Sequence, residues 1–453
     1  MVFSVTRICI VFGIFVATGV GAFGQDAHDP LVFGPGIPVG SRLQYGENVL
    51  PVDWSYQGNL SEAVTEDDGI PGFRIVTLLD AAIPRNGSGE GFDHLDGDFI
   101  GTTPVVTAFA QNGEKHRFLV DTGALHSYIR PSVAEALNGG QDIPFPMALQ
   151  VADHKWLHFK VEVDRNVAVL ATPDPDFPVD GILGMNAIAC MQLKIDYVHR
   201  KLWARLAKKP LDASQAATEL GIGKSTVGKD PVKSVAMKRQ ASGRYAIEAI
   251  LDGKVSLVEV DTGANVIGLS PSAISKLGMD HVGEGSVLVE AGTKSLATYL
   301  ARSAKVDDIS LIWPVIHQGQ TQDQDVGGFG PSVFPHQAVI IDYPGSRLFT
   351  LTPTEDELVE QAVGQLISGV VRLEGKETVL DLPEIVGKSR AVLVKIQDQP
   401  VNLVIQEIRS LSKGDLNARA RLIALYKQLN TNGHISIRQN GIEREVQTSA
   451  PHD

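Results

Sequence analysis

Cysteine is almost missing from this 453-residue chain: Cys9 lies in an apolar N-terminal run, and beyond it only Cys190 remains. No internal disulfide can form once that run is set aside, so the fold must rest on its hydrophobic core. Cys190, inside AIACMQLKI, is expected as a small buried hydrophobe rather than a nucleophile. Basic charge is also in deficit. A net charge of −13 leaves no basic face of the kind nucleic acid requires. A second long apolar run is absent, which excludes a membrane span after the N-terminus. Among 12 histidines, only His154 and His158 stand four apart. On the alternating, strand-like stretch around them four residues span about 13 Å, too far to share a metal. Neither a metal nor a cofactor is expected.

What is plentiful points to strands. Glycine (45) and proline (24) together far outnumber the aromatic residues (Phe 16, Tyr 8, Trp 4), a balance that suits many turns and short strands. The length suggests about three domains. MVFSVTRICIVFGIFVATGVGAFGQ carries one Arg, an apolar run from Ile8 to Ala17 and small residues at Gly21, Ala22 and Gly24. Residues 1–24 therefore read as a secretory signal, or as a membrane anchor if uncleaved, and the protein is expected to be exported, periplasmic or secreted. Residues 25–100 hold 13 acidic residues against Arg42, Arg74 and Arg85, an acidic Gly/Pro-rich arm with a strand expected at 74–79.

The most informative pattern is an internal duplication. TAFAQNGEKHRFLV leads into DTGALHSYIRPSVAEAL, and YAIEAILDGKVSLVEV leads into DTGANVIGLSPSAISKL. Downstream, GILGMNAIACMQLKIDY matches GGFGPSVFPHQAVIIDY, and the distance from Asp121 to Gly184, 63 residues, resembles the 69 from Asp261 to Gly330. The chain carries one β-rich unit twice, at 101–206 and 241–353, joined by a polar linker at 207–240. Short helices are expected after Pro131 and Pro271, where proline favours a first turn.

A duplicated unit that offers one Asp per copy suits a particular chemistry. Two carboxyls held side by side cannot both ionise, so one stays an acid while the other is a base. Asp121-Thr122-Gly123-Ala124 and Asp261-Thr262-Gly263-Ala264, with Ile182-Leu183-Gly184 and Gly328-Phe329-Gly330 behind them, resemble the aspartic peptidases, specifically a single-chain tandem of retropepsin-like units. That family is the best-known case of two carboxyls sharing one proton. The resemblance implies a mainly β fold of two pseudo-symmetric acid-protease-like β-barrel units, a monomer with an internal pseudo-dimer. Asp121 and Asp261 would be catalytic. Gly123 and Gly263 would let backbone amides reach the carboxyls, and Thr122 and Thr262 would bond across the axis.

Ala124 and Ala264 have no hydroxyl to stabilise a charged carboxyl, which implies activity at mildly acidic to neutral pH. Hairpins at 150–159 and 290–298 stand where the family places its flaps, with Asp153, Trp156, Ala291 and Gly292 as substrate-binding candidates. In the second unit, Gly327-Gly328-Phe329-Gly330-Pro331 replaces Gly181-Ile182-Leu183-Gly184-Met185, which reduces apolar packing behind Asp261. The acidic arm is expected to pack on the first unit or to stay mobile, since an ionised dyad would repel it.

From 355 to 453 the pattern changes to α+β. Ala418, Leu422, Leu425, Tyr426 and Leu429 form a helical stripe, and Asn440-Gly441 marks a hairpin. The order strand, turn, helix, hairpin resembles half of a PDZ domain, which implies a peptide or protein ligand bound by strand addition; an unrelated α+β cap fits as well. The reading for the whole chain is an exported aspartic endopeptidase acting on polypeptide, with a non-catalytic peptide-binding or scaffold protein as the alternative.

Overall fold

The structure is a computed structural model. It describes residues 92–447 except 101, 111–112, 139–144, 153–154, 164–178, 190, 207–209, 222–231, 241–243, 265–266, 290–291, 320–326, 335–337, 368–369 and 382–390. Before residue 92 it describes only 9–10, 42–43 and 52–53. The signal, the expected strand at 74–79 and Cys190 lie outside the described residues, apart from Cys9–Ile10.

The elements around the two D-T-G stretches follow one order. In the first unit the strand Lys115–Val120 runs into Asp121, the chain returns as Ser127–Ile129, and the helix Pro131–Asn138 follows. In the second, Lys254–Val260, Ile267–Leu269 and Pro271–Lys276 repeat that order. Both prolines open their helices as expected, and Ser270 caps the second by accepting from the Ala273 N–H at 3.2 Å. Each unit then threads a three-residue strand into the gap beside its D-T-G loop. Gly181–Leu183 lies parallel to 115–120 and antiparallel to 127–129. Gly327–Phe329 does the same between 254–260 and 267–269. A wide hairpin completes each unit: Phe145–Ala152 with Lys155–Val163, and Asp280–Val289 with Gly292–Leu300. In the first unit 145–152 also pairs with Thr103–Phe109, so the path of that sheet returns on itself.

The two halves meet in a six-stranded sheet to which each contributes three strands. At its centre Met191–Asp196 pairs antiparallel with Ala338–Asp342, in register Leu193 with Ile341. These are the two Ile-Asp-Tyr strands that the sequence matches to each other. The outermost strands come from stretches read as arm and linker: Asp93–His94 on one edge, Val232–Ala236 on the other. The 207–240 stretch is thus more than a tether. It also holds a helix, Ala213–Glu219, opened by a reciprocal Asp212–Gln215 capping box.

The C-terminal unit is an antiparallel six-stranded sheet whose path runs 370–374, 377–381, 391–396, 434–439, 442–447, with the short strand Gln399–Pro400 paired to 391–396 off that path. Asn440 and Gly441 both have positive φ, 52° and 77°, as a two-residue hairpin turn demands. The expected helical stripe is buried on the helix Leu416–Asn432. That helix does not face its own sheet alone. Val282, Leu300, Trp313 and Val315 of the second unit share one apolar cluster with Leu422, Leu425, Tyr426 and Leu429. Arg419 locks the contact, donating to Asp280 Oδ2 at 2.7 Å and to the Leu300 carbonyl at 3.1 Å, the two ends of the second wide hairpin.

Candidate active site

The site begins with two turns. After each apolar strand the chain reverses at D-T-G, and the carboxyl folds back on its own loop. Asp121 Oδ1 accepts from the N–H groups of Gly123 at 2.7 Å and Ala124 at 3.2 Å. Asp261 Oδ1 accepts from the Gly263 N–H at 2.9 Å. The threaded strands hold both turns from behind: the Asp121 N–H donates to the Leu183 carbonyl at 3.0 Å, and the Asp261 N–H to the Phe329 carbonyl at 2.9 Å.

The threonines tie one unit to the other. Thr122 Oγ1 donates to the Val260 carbonyl at 2.8 Å and accepts from the Thr262 N–H at 3.0 Å. Thr262 Oγ1 donates to the Val120 carbonyl at 2.6 Å and accepts from the Thr122 N–H at 3.1 Å. Each hydroxyl thus satisfies one donor and one acceptor of the opposite loop, a reciprocal arrangement that only a two-fold relation of the loops permits.

Through this clasp the two D-T-G loops lie against each other. Both carboxyls are buried, 0% exposed at Asp121 and 1% at Asp261, and each acts on the other's pKa. Among the described residues no N–H or hydroxyl donates to Asp121 Oδ2. Burial pushes the Asp121 pKa up to about 6, against the opposing effect of its backbone donors and the Asp261 hydrogen bond. Burial likewise raises Asp261 well above the carboxylate range, and the Asp121 charge raises it further. Both shifts run upward, so the coupled pair gives up its protons at higher pH than free carboxyls do.

No protein-family model matches the chain, and no curated protein does. Among solved structures, it is similar to a retropepsin-like aspartic protease from Rickettsia conorii. The match has 22% identity and a TM-score of 0.21, and it covers 26% of this chain and 89% of the other.

The loops differ in ways that matter for packing. Behind Asp121, Ile182 is fully buried; at its counterpart Gly328, a Cβ would stand 3.7 Å from Asp261 Oδ2, an ordinary contact. Phe329 and Phe334, 5.1 Å apart edge to face, fill the core of that half instead. The Met185 N–H donates to the Ala124 carbonyl at 2.8 Å, a bond that Pro331 has no N–H to repeat. Gly184 admits no side chain: a Cβ would lie 2.2 Å from the His126 carbonyl oxygen and 2.9 Å from that of Ala124. Gly184→Ala is expected to destabilise the first loop by a few kcal/mol, read as a lower urea midpoint with an unchanged slope.

Of the expected flap residues, two have a place in the described sheets. Trp156 lies on the strand Lys155–Val163 opposite Gln150, and Gly292 opens its strand opposite Val289. Asp153 and Ala291 lie outside the described residues. Two charged residues beside the dyad were missed in the sequence. Glu259, two residues before Asp261, and Arg244 are 8% and 5% exposed and pair at 3.3 Å. Their trace was visible, since VEVDTG carries a Glu where FLVDTG has Leu119.

Proposed function

We propose that this protein is an aspartic endopeptidase. The observation that carries the reading is the pair of buried carboxyls, one per unit, both shifted upward in pKa inside a reciprocal threonine clasp. Asp121, the more readily ionised, takes a proton from a water placed between the carboxyls. Asp261 donates its proton to the scissile carbonyl oxygen and the pair later protonates the leaving amine. The water adds directly to the carbonyl carbon, and no covalent enzyme intermediate forms. A scaffold protein on the same fold would need neither buried carboxyl, and burying both costs stability.

Cleavage of unfolded casein between about pH 3 and 8 tests the proposal. The pH profile is expected to rise through about pH 6 as Asp121 ionises and to fall at higher pH when Asp261 also loses its proton. An optimum below about pH 3 would overturn this pH dependence.

Export and a polypeptide substrate belong to the same reading, and the case for export is the N-terminal sequence alone. A peptide ligand for the C-terminal unit, bound by strand addition as in a PDZ domain, meets an obstacle at one sheet edge. There the Glu360 side chain, from the helix Glu355–Ile367, accepts the Leu373 N–H of the edge strand Val370–Glu374. A ligand that adds to this strand must first displace that helix.

A further inference from the structure

The dyad lies on a face of each unit that strand alternation defines. Along 115–120, Phe118 and Val120 enter the main core; along 254–260, Val258 and Val260 do so. Leu119 and Glu259 point the other way, to the side on which Asp121 and Asp261 follow two residues later. The neighbouring strands extend this face. Val105 pairs with Leu119 and Ala246 with Glu259, and two residues before them stand Thr103 and Arg244. Beside Asp121 the face therefore reads Thr103, Val105, Leu119; beside Asp261 it reads Arg244, Ala246, Glu259. Thr103 reaches across the axis, donating to the Gly263 carbonyl at 3.4 Å. Arg244 instead pairs with Glu259 of its own unit at 3.3 Å, and its charge acts on both dyad carboxyls.

We propose that Arg244 and Glu259 form a polar wall on one side only of the substrate cleft, which selects a hydrogen-bonding side chain next to one side of the scissile bond and an apolar one next to the other. This rests on the peptidase reading above. The wall lies on the same sheet face as the dyad, so a peptide that reaches Asp261 passes beside it. Its ends are a guanidinium and a carboxylate that balance in charge. A carboxamide or hydroxyl can accept from Arg244 and donate to Glu259, whereas an aliphatic group would only strip water from both. On the other side Leu119 and Val105 offer no polar atom.

Digestion of a mixed peptide library by the full-length protein at about pH 6, with cut sites read by mass spectrometry, tests the wall. The expected result is roughly tenfold or greater enrichment of Gln, Asn, Ser or Thr at one flanking position and of apolar residues at the other. The double variant Arg244→Thr/Glu259→Leu gives the second unit the first unit's residues. It should turn the polar preference apolar while leaving the other position unchanged; replacing a buried ion pair in this way is often neutral for stability. Glu259→Gln keeps the shape but leaves the guanidinium unbalanced, and should shift the preference to Asp or Glu. Cutting between two apolar residues by the wild type, or unchanged specificity in either variant, overturns the wall alone. No cleavage by the wild type at any pH overturns the peptidase reading and the wall with it.

Discussion

Asp121→Asn and Asp261→Asn are each expected to lower kcat/KM for casein or a peptide by at least ~10³-fold while the protein stays folded. Either amide keeps the size of the carboxyl and can still accept from the loop N–H groups, so the D-T-G turns should survive. What is lost is the shared proton: an amide can neither take a proton from water nor give one to a carbonyl. Because the two carboxyls act as a unit, the double variant should be little worse than either single one. Retained cleavage in either variant would remove the dyad mechanism.

The same substitutions should raise stability at neutral pH. Asp121 has a pKa of about 6 in the folded protein and of about 4 in an unfolded chain. The folded state binds this proton more tightly. Its contribution to stability is fully present below about pH 4 and is lost as the pH rises through about 6. Asp121→Asn removes that loss, and a gain on the order of 1–3 kcal/mol at pH 7 is expected. It should appear as a higher urea midpoint that shrinks toward pH 4.

The second large effect is expected at the clasp. Thr122→Val or Thr262→Val preserves side-chain shape but deletes one donated and one accepted bond between the units. Each change leaves a buried carbonyl and a buried N–H without partners, a cost of roughly 2–4 kcal/mol in all. Activity should fall with it, because the carboxyls are held together through these loops. Thr→Ser at either position keeps the hydroxyl and should retain most of both. A wild-type urea midpoint in Thr122→Val would show that the clasp contributes little.

Much of this arrangement is legible in the sequence, and for local reasons. The D-T-G-A tetrapeptides, the prolines at helix starts and the Asn440-Gly441 turn all depend on the conformational preferences of a few neighbouring residues. Other local signals escape that reading. Thr354 and Glu357 form a reciprocal cap that opens the helix Glu355–Ile367, and T-E-D-E is the pattern that announces it. The helix Val401–Ser412, with Val404 and Ile408 buried, occupies a stretch between the turn and the helical stripe for which no element is expected.

That one β unit occurs twice, each copy with a carboxyl at the end of an apolar strand, follows from the order of residues alone. What those carboxyls do to each other does not. Their raised pKa values depend on burial and on contacts between residues 140 positions apart, which no local preference encodes. The pairing of Arg244 with Glu259 and the tie from Arg419 to the second hairpin arise in the same way. Charges that are unremarkable along the chain acquire their effect when sheet register and burial remove water from between them.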